Sequence, residues 1–322
     1  MLFTLALVGG LAVLIKGADL FVDGAAALAR HYRVSPLVVG MLIVGFGTSA
    51  PEMLVSAVSA IDGAPGIALG NAWGSNIANI ALILGITALV KPVTVQSRVI
   101  RTELPILLGA TVVAGGLAFD GVLGRADAVI LLALFGAFLF WSIRFQHVDL
   151  ADPLATEAVH EVESSVPTRP MGWASVILAL GLVLLVLGSR GVVWGAVGLA
   201  RVAGISDLVI GLTIVAVGTS LPELASSIAA VRKGEDEIAF GNVVGSNIFN
   251  TLAVVGIAGA ITPFRVDRIS VVRDLPVMAG LTVLMLLFGI GRRGGPGRIN
   301  RIEATLLCLG YAGYLTALVF AL

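Results

Sequence analysis

Long apolar runs recur from one end of this chain to the other, separated by short clusters of charge and proline. They place ten helical spans, at about residues 2–30, 35–60, 67–90, 100–119 and 126–145, then 173–203, 206–231, 238–262, 271–290 and 301–321. Pro36, Pro65, Pro92, Pro105 and Pro263 fall at the ends of spans, as helix breakers do. The Val, Leu, Ala and Gly runs lack the strict alternation of a barrel strand, so the spans read as helices. The first and sixth are longer than a perpendicular crossing needs, which predicts strong tilt. The first run starts at Leu2 without a basic segment or a small-residue cleavage site, and reads as a span rather than a signal peptide.

Polar positions interrupt these runs in a pattern that occurs twice. The first copy is Gly45-Phe-Gly-Thr-Ser-Ala-Pro-Glu52 followed by Gly70-Asn-Ala-Trp-Gly-Ser-Asn-Ile-Ala-Asn79. The second is Ala216-Val-Gly-Thr-Ser-Leu-Pro-Glu223 followed by Gly241-Asn-Val-Val-Gly-Ser-Asn-Ile-Phe-Asn250. Adding 171 to a residue number in the first half finds its partner in the second: Thr48 and Thr219, Glu52 and Glu223, Ser75 and Ser246, Asn79 and Asn250. The match extends to Gly24 with Gly195, Pro92 with Pro263 and Pro105 with Pro276, so the chain is an internal repeat.

Five spans per half is an odd number, so the second half enters the membrane from the opposite side, the inverted repeat of secondary transporters. The expected architecture is an all-α integral membrane protein of ten transmembrane helices in two inverted five-helix repeats. The first repeat is 1–145, a hydrophilic cytoplasmic linker is 146–172, and the second repeat is 173–322. Connections after spans 1, 3, 5, 7 and 9 carry about 13 Lys and Arg and the other side about 5, including Arg30, Arg33, Arg98, Arg101, Arg232, Lys233, Arg292, Arg293 and Arg298 on the rich side. That side is expected in the cytoplasm, with both termini outside a cell membrane.

Composition agrees. The 322 residues are 58% hydrophobic and 12% charged, with mean hydropathy +1.04, where a soluble domain carries roughly 25% charge. Zero formal net charge suggests no nucleic-acid partner. Cys308 is the single cysteine and lies in the last apolar run, so no disulfide forms within the chain. The segment His147–Pro170 holds Asp149, Asp152, Glu157, Glu161 and Glu163 without calcium-loop spacing, and reads as a solvated linker rather than a calcium sensor. His147 and His160 have no partner at metal-ligand spacing.

A carboxylate at mid-membrane costs at least roughly 2.5–3.5 kcal/mol on insertion scales, so Glu52 and Glu223 need a reason to be there. Thr48 and Glu52 share a helix face, and Pro51 between them frees the Gly47 carbonyl and opens that turn. Gly45 and Gly47 relax it further, and Gly218 with Pro222 repeat the arrangement. Hydroxyls, freed carbonyls and a carboxylate are the hard oxygen ligands of calcium, and sodium has the same preference. Ser75 with Asn79, and Ser246 with Asn250, add neutral oxygens four residues apart on one face; interhelical hydrogen bonding is the plainer reading of such residues alone. Asn71, Asn76, Asn242 and Asn247 point away from that face and brace it, while Gly70, Gly74, Gly241 and Gly245 have the spacing of close helix contacts. Lys16, Asp19 and Asp23 lie in the first span and Arg190 in the sixth; an Asp19–Arg190 pair across the pseudo-twofold axis is one reading, snorkelling near the membrane edge another.

At these motifs the sequence resembles the cation/calcium antiporter superfamily, in its sodium/calcium exchanger branch of prokaryotic type. Gly47–Glu52 with Gly74–Asn79 look like its first alpha repeat, and Gly218–Glu223 with Gly245–Asn250 like its second. The resemblance covers the whole chain. It implies a central calcium site held mainly by Glu52 and Glu223 with backbone oxygens near Gly45 and Ala216. It implies sodium sites around it from Thr48, Ser49, Ser75, Thr219, Ser220 and Ser246, and alternating access with spans 1 and 6 sliding across the core. Many prokaryotic relatives carry Asp where this chain has Asn250, and the linker is far shorter than the regulatory domains of animal exchangers.

The expected function is therefore secondary antiport of calcium for sodium, with those ions as cargo, no cofactor and no obligate protein partner beyond the lipid bilayer. Calcium/proton exchange is the alternative within the class, since a carboxylate can release a proton. A passive channel fits less well, because channels are usually symmetric about the membrane normal. An intramembrane enzyme fits least, because the spans carry no nucleophile–histidine set.

Overall fold

The computed structural model describes residues 1–32, 34–145, 171–204, 216–290 and 297–320. The expected linker, with His147, His160 and its acids, lies outside them. Among the described residues, helix falls within each of the ten positions read from the apolar runs, the seventh being described only from Ala216. They are α1 (Leu2–Tyr32), α2 (Pro36–Ile61), α3 (Pro65–Val90), α4 (Val99–Leu117), α5 (Arg125–Phe145) and α6 (Met171–Val202). Helix α7 comprises Ala216–Thr219 and Leu221–Arg232, followed by α8 (Asp236–Ile261), α9 (Ser270–Gly289) and α10 (Arg301–Phe320). Eight of these, α1–α6, α8 and α9, are long and apolar enough to cross a membrane.

Local chemistry sets the helix ends. The Ser35 side chain accepts a hydrogen bond from Val38 N ahead of Pro36, which needs no N–H partner at the first helical turn. Asn300 Oδ1 accepts from Ile302 N and Glu303 N at 2.8 and 3.1 Å, and Glu303 Oε2 accepts from Asn300 N at 2.8 Å, a reciprocal cap for α10. Four stretches wind as π-helix: Gly40–Val44 in α2, Asn79–Leu84 in α3, Phe249–Val254 in α8 and Ser270–Asp274 in α9. Such turns place an extra residue in the helix and concentrate at functional sites; those of α3 and α8 begin at or beside Asn79 and Asn250.

Of those eight long helices, α3 and α8 are the most buried, while α1 and α6 keep most of their surface exposed and pack on each other. The α1–α6 contact is made by glycine. A Cβ at Gly17 or Gly24 would lie 2.6 Å from Leu185 N or Leu178 N, and one at Gly188 or Gly195 would lie 2.5 or 2.6 Å from Leu14 N or Leu7 N. Numbers rise along one helix as they fall along the other, so the pair is antiparallel with backbones touching along its length. The two helices are repeat partners, and their opposed direction fits two halves inserted in opposite senses.

Two short antiparallel strand pairs repeat the same relation. Strand β1 (Val93–Val95) pairs with β4 (Gly297–Ile299), and β2 (Val122–Leu123) with β3 (Phe264–Arg265). Each joins the connection after the third span of one half to that before the fifth span of the other. Inside, α2 and α8 run parallel: Gly40 meets Ile238, Gly241 meets Leu37 and Met41, and Gly45 meets Ser246. The close-contact reading of Gly241 and Gly245 holds there, whereas among the described residues nothing lies within 4 Å of a Cβ at Gly70 or Gly74.

The proposed pairing of Asp19 with Arg190 does not form. Asp19 and its neighbour Asp23 go instead to Lys233, at 3.8 and 2.7 Å. The glycine register is the reason. Gly10 lies against Gly191 and Val192, so Arg190 is level with the Gly10–Leu14 turn, about two turns from Asp19.

Candidate functional site

Four helices carry the repeated motifs into the core. Thr48, Ser49 and Glu52 stand on α2, Ser75 and Asn79 on α3, Ser220 and Glu223 on α7, and Ser246 and Asn250 on α8; all are buried, and Thr219 on α7 is half-buried. Gly45 is buried where α2 leaves its π-turn, and Ala216 opens the described part of α7. The helices touch pairwise across the halves. Glu52 and Glu223 are close enough for their charges to interact, and Thr48 and Ser49 of the first half flank the Glu223 carboxyl of the second.

Glu52 and Glu223 are each 2% exposed. Glu52 Oε2 and Glu223 Oε2 have no hydrogen-bond partner, and neither do Ser49 Oγ, Ser220 Oγ, Ser246 Oγ, Asn79 Oδ1 and Asn250 Oδ1. A buried polar atom left so costs about 1–3 kcal/mol, more for a charged group, and native cores avoid it. Here seven such oxygens come from both copies of one motif. Among the described residues no third Asp, Glu, His or Cys joins the two acids. The donor set is thus two carboxylates among hydroxyl and amide oxygens, suited to a hard, oxygen-loving cation rather than a transition metal.

The asparagines read as braces hold the arrangement. Thr48 Oγ1 lies 3.0 Å from Val44 O, 3.4 Å from Gly45 O and 3.1 Å from Asn242 Oδ1, so its one proton has three acceptors and its lone pairs stay available. Asn242 Nδ2 lies 3.2, 3.2 and 2.9 Å from Glu223 O, Ser226 Oγ and Ser227 Oγ, so its two protons are shared among three acceptors. Asn79 Nδ2 donates to Asn247 Oδ1 at 3.0 Å, and Asn76 Nδ2 to Thr251 Oγ1 at 2.7 Å. Asn71 Nδ2 reaches Ser56 Oγ at 3.4 Å, the repeat equivalent of Asn242 to Ser227.

The two copies fold differently despite nearly identical sequence. Helix α2 runs through Pro51 without a break, whereas α7 is interrupted at Ser220, with φ −93° and ψ 8°. The carbonyl that Pro222 frees, Gly218 O, accepts from Ser189 Oγ of α6 at 2.9 Å. Ala18 occupies the equivalent place in the first half and has no such hydroxyl.

Sequence reasoning passed over Ser226, Ser227 and Thr251, which follow the Glu223 and Asn250 motifs by a turn or less. It also passed over a second repeat-related pair of buried acids. Glu103 on α4 and Asp274 on α9 are 171 apart and 0% and 7% exposed. Asp274 pairs with Arg273 at 2.6 Å and accepts from the Tyr314 hydroxyl at 3.0 Å. The offset that found Glu52 and Glu223 also finds these two.

Known proteins share this organisation. The family described as sodium/calcium exchanger protein matches residues 2–144 and 173–320. The CaxA protein of Alkalimonas amylolytica is 45% identical over 312 residues, 97% of each chain. The sodium/calcium exchanger MaX1 of Methanosarcina acetivorans is 32% identical over 347 aligned positions, covering 98% of each. The solved sodium-calcium exchanger NCX_Mj, soaked with Na+ and Ca2+, superposes with a TM-score of 0.83 at 31% identity over 99% of both chains. With its two motifs folded together at the centre of a predominantly helical membrane protein, the chain belongs to the sodium/calcium exchanger family.

Proposed function

We propose that this protein is a secondary antiporter that exchanges calcium for sodium by alternating access. The observation that carries the reading is the pair of buried carboxylates, Glu52 and Glu223, each with one oxygen that no hydrogen bond satisfies, among orphaned oxygens from both repeats. Calcium is held between the two carboxylates with backbone oxygens near Gly45 and Ala216. Sodium is held around it by Thr48, Ser49, Ser75, Thr219, Ser220 and Ser246, with Asn79 and Asn250 adding amide oxygens. Because one set of acids serves both ions, either ion neutralises the site and excludes the other, which is what exchange requires. MaX1 and NCX_Mj are both named as sodium/calcium exchangers, which supports this choice of ions.

The chain divides into repeats 1–145 and 173–322 joined by a linker at 146–172, with both termini outside and the linker inside the cell membrane. The antiparallel α1–α6 pair and the cross-paired strands support an inverted repeat, and the basic connections support the orientation. The test is calcium uptake into reconstituted vesicles with a sodium gradient, a proton gradient or neither. Uptake driven by outward sodium alone is expected. Uptake driven only by protons would make the protein a calcium/proton exchanger, and uptake without any counter-gradient would make it a channel.

A further inference from the structure

Lys233, in the turn after α7, pairs with Asp19 and Asp23 and so holds α1 at one end of the core. The offset of 171 carries this lock to the other half. Lys233 maps to Asp62, which caps the C-terminal end of α2, and Asp19 maps to Arg190 on α6. Both charges are reversed, so the attraction survives in mirror form; a reversal at one position alone would set like charges face to face. Asp62 and Arg190 are exposed, and neither makes an ion pair among the described residues. The packing has the same asymmetry. Helix α1 packs along Leu221–Arg232 of α7, whereas the mirror contact, α6 against Gly45–Ile61 of α2, is sparse. One lock is closed, and the charges of its mirror image stand apart.

An inverted repeat reaches its second conformation when the two halves exchange local structures around the fixed site. We propose that Asp62 and Arg190 are the lock of that second conformation. As Lys233 releases α1, α6 packs onto the end of α2, and the Arg190 guanidinium closes on the Asp62 carboxylate at the opposite face of the core. The two locks are unequal. Asp23 gives Lys233 a second carboxylate, and its repeat partner is Trp194. Arg30 and Glu235 add a contact beside Lys233, and Ala64 stands where the mirror of that contact needs an acid. The resting equilibrium is therefore biased toward the conformation described here. The inference rests on the alternating-access reading but not on which ions are carried.

The test uses the full chain in nanodiscs with a spin-label pair on α1 and α3, measuring the populations of the two conformations without ions. Asp62→Asn and Arg190→Gln are each expected to shift the equilibrium about threefold toward the conformation described here, the worth of one exposed ion pair. Combining them is expected to add nothing to either alone, and Asp62→Lys with Arg190→Asp to return the wild-type ratio. Lys233→Gln is expected to shift the populations the opposite way. Residues that merely support the fold would lower stability without opposed shifts and without rescue by charge exchange. No shift for Asp62→Asn or Arg190→Gln, additive shifts in the double variant, or a shift of the same sign as that of Lys233→Gln would overturn the proposal. A single conformation in every variant would overturn it together with alternating access. Because these readouts need no transport, they stand apart from a failure of sodium-driven uptake.

Discussion

Lys233 Nζ lies 2.7 Å from Asp23 Oδ1 and donates to the Asp19 carbonyl oxygen at 2.8 Å, tying the turn after α7 to α1. Arg30 adds a contact to Glu235 at 3.6 Å. The acids of α1 are half-exposed, so the pairs are worth little in stability, about 0–1 kcal/mol each. They do oppose travel of α1 across the core. Lys233→Gln is expected to speed sodium-driven calcium uptake at low ionic strength and to flatten the rise in rate that salt gives the wild type. Its melting temperature should barely change. Uptake against salt concentration, with a thermal melt alongside, checks both.

Glu52→Gln and Glu223→Gln should each reduce calcium uptake to background while leaving the protein folded. Each removes one of two central charges but keeps the side-chain volume and one carbonyl oxygen. Since an unpaired buried charge is lost in each, melting temperature in the absence of ions should hold or rise. Near-normal flux in well-expressed Glu52→Gln would remove the central assignment.

Charge counting sets the coupling. Two ionised glutamates give the site about −2, neutralised by one calcium or two sodium ions, and Asn250 adds no charge; a third sodium would leave charge unbalanced in a low-dielectric cavity. Exchange is therefore expected nearer two sodium ions per calcium, with an equilibrium that responds weakly to voltage. Vesicles clamped at several potentials measure it, and a slope matching three-to-one exchange would refute it. Asn250→Asp should raise calcium affinity or steepen the sodium dependence.

Topology is tested in a Cys308→Ser background. His160→Cys in the linker and Leu322→Cys at the end of the chain should be modified by a membrane-impermeant thiol reagent from opposite faces, with residue 322 reached from outside. Labelling of both from one face would contradict the inverted arrangement.

The α1–α6 contact predicts its own mutational pattern. Gly17→Ala and Gly188→Ala drive a methyl into the facing backbone and should each cost about 1–3 kcal/mol, as overpacking does. Gly9→Ala, with nothing within 4 Å of its Cβ, should be neutral. Thermal melts of the three variants separate the cases.

The spans and the motif residues were legible because membrane helices announce themselves by length and because buried acids at a fixed offset cannot arise from apolar drift. What was not legible follows from tertiary context. Gly-Thr-Ser-x-Pro-Glu reads alike in both copies, yet α2 continues through it and α7 breaks at Ser220. The hydroxyl of Ser189 that takes up Gly218 O comes from another helix, and no local pattern reports it. The Asp19–Arg190 pairing failed for a related reason: repeat symmetry relates two residues without making them neighbours, and the glycine register decides which positions meet. The π-turns at Asn79–Leu84 and Phe249–Val254 likewise carry no sequence mark beyond the asparagines near their starts.

The glycines of the α1–α6 seam have a further consequence. Gly10, Gly17 and Gly24 are the repeat partners of Gly181, Gly188 and Gly195, and each set meets the other helix's backbone. A surface that contacts its own equivalent about a two-fold axis is isologous, the kind of contact two identical subunits make. The first helix of either half thus bears a face that fits a second copy of itself lying head to tail. The halves are free to diverge where they have done so, at Ala18 and Ser189 or Val55 and Ser226. Along the seam any enlargement on one side must be answered by a recess on the other, so there the chain remains bound to the geometry of a homodimer.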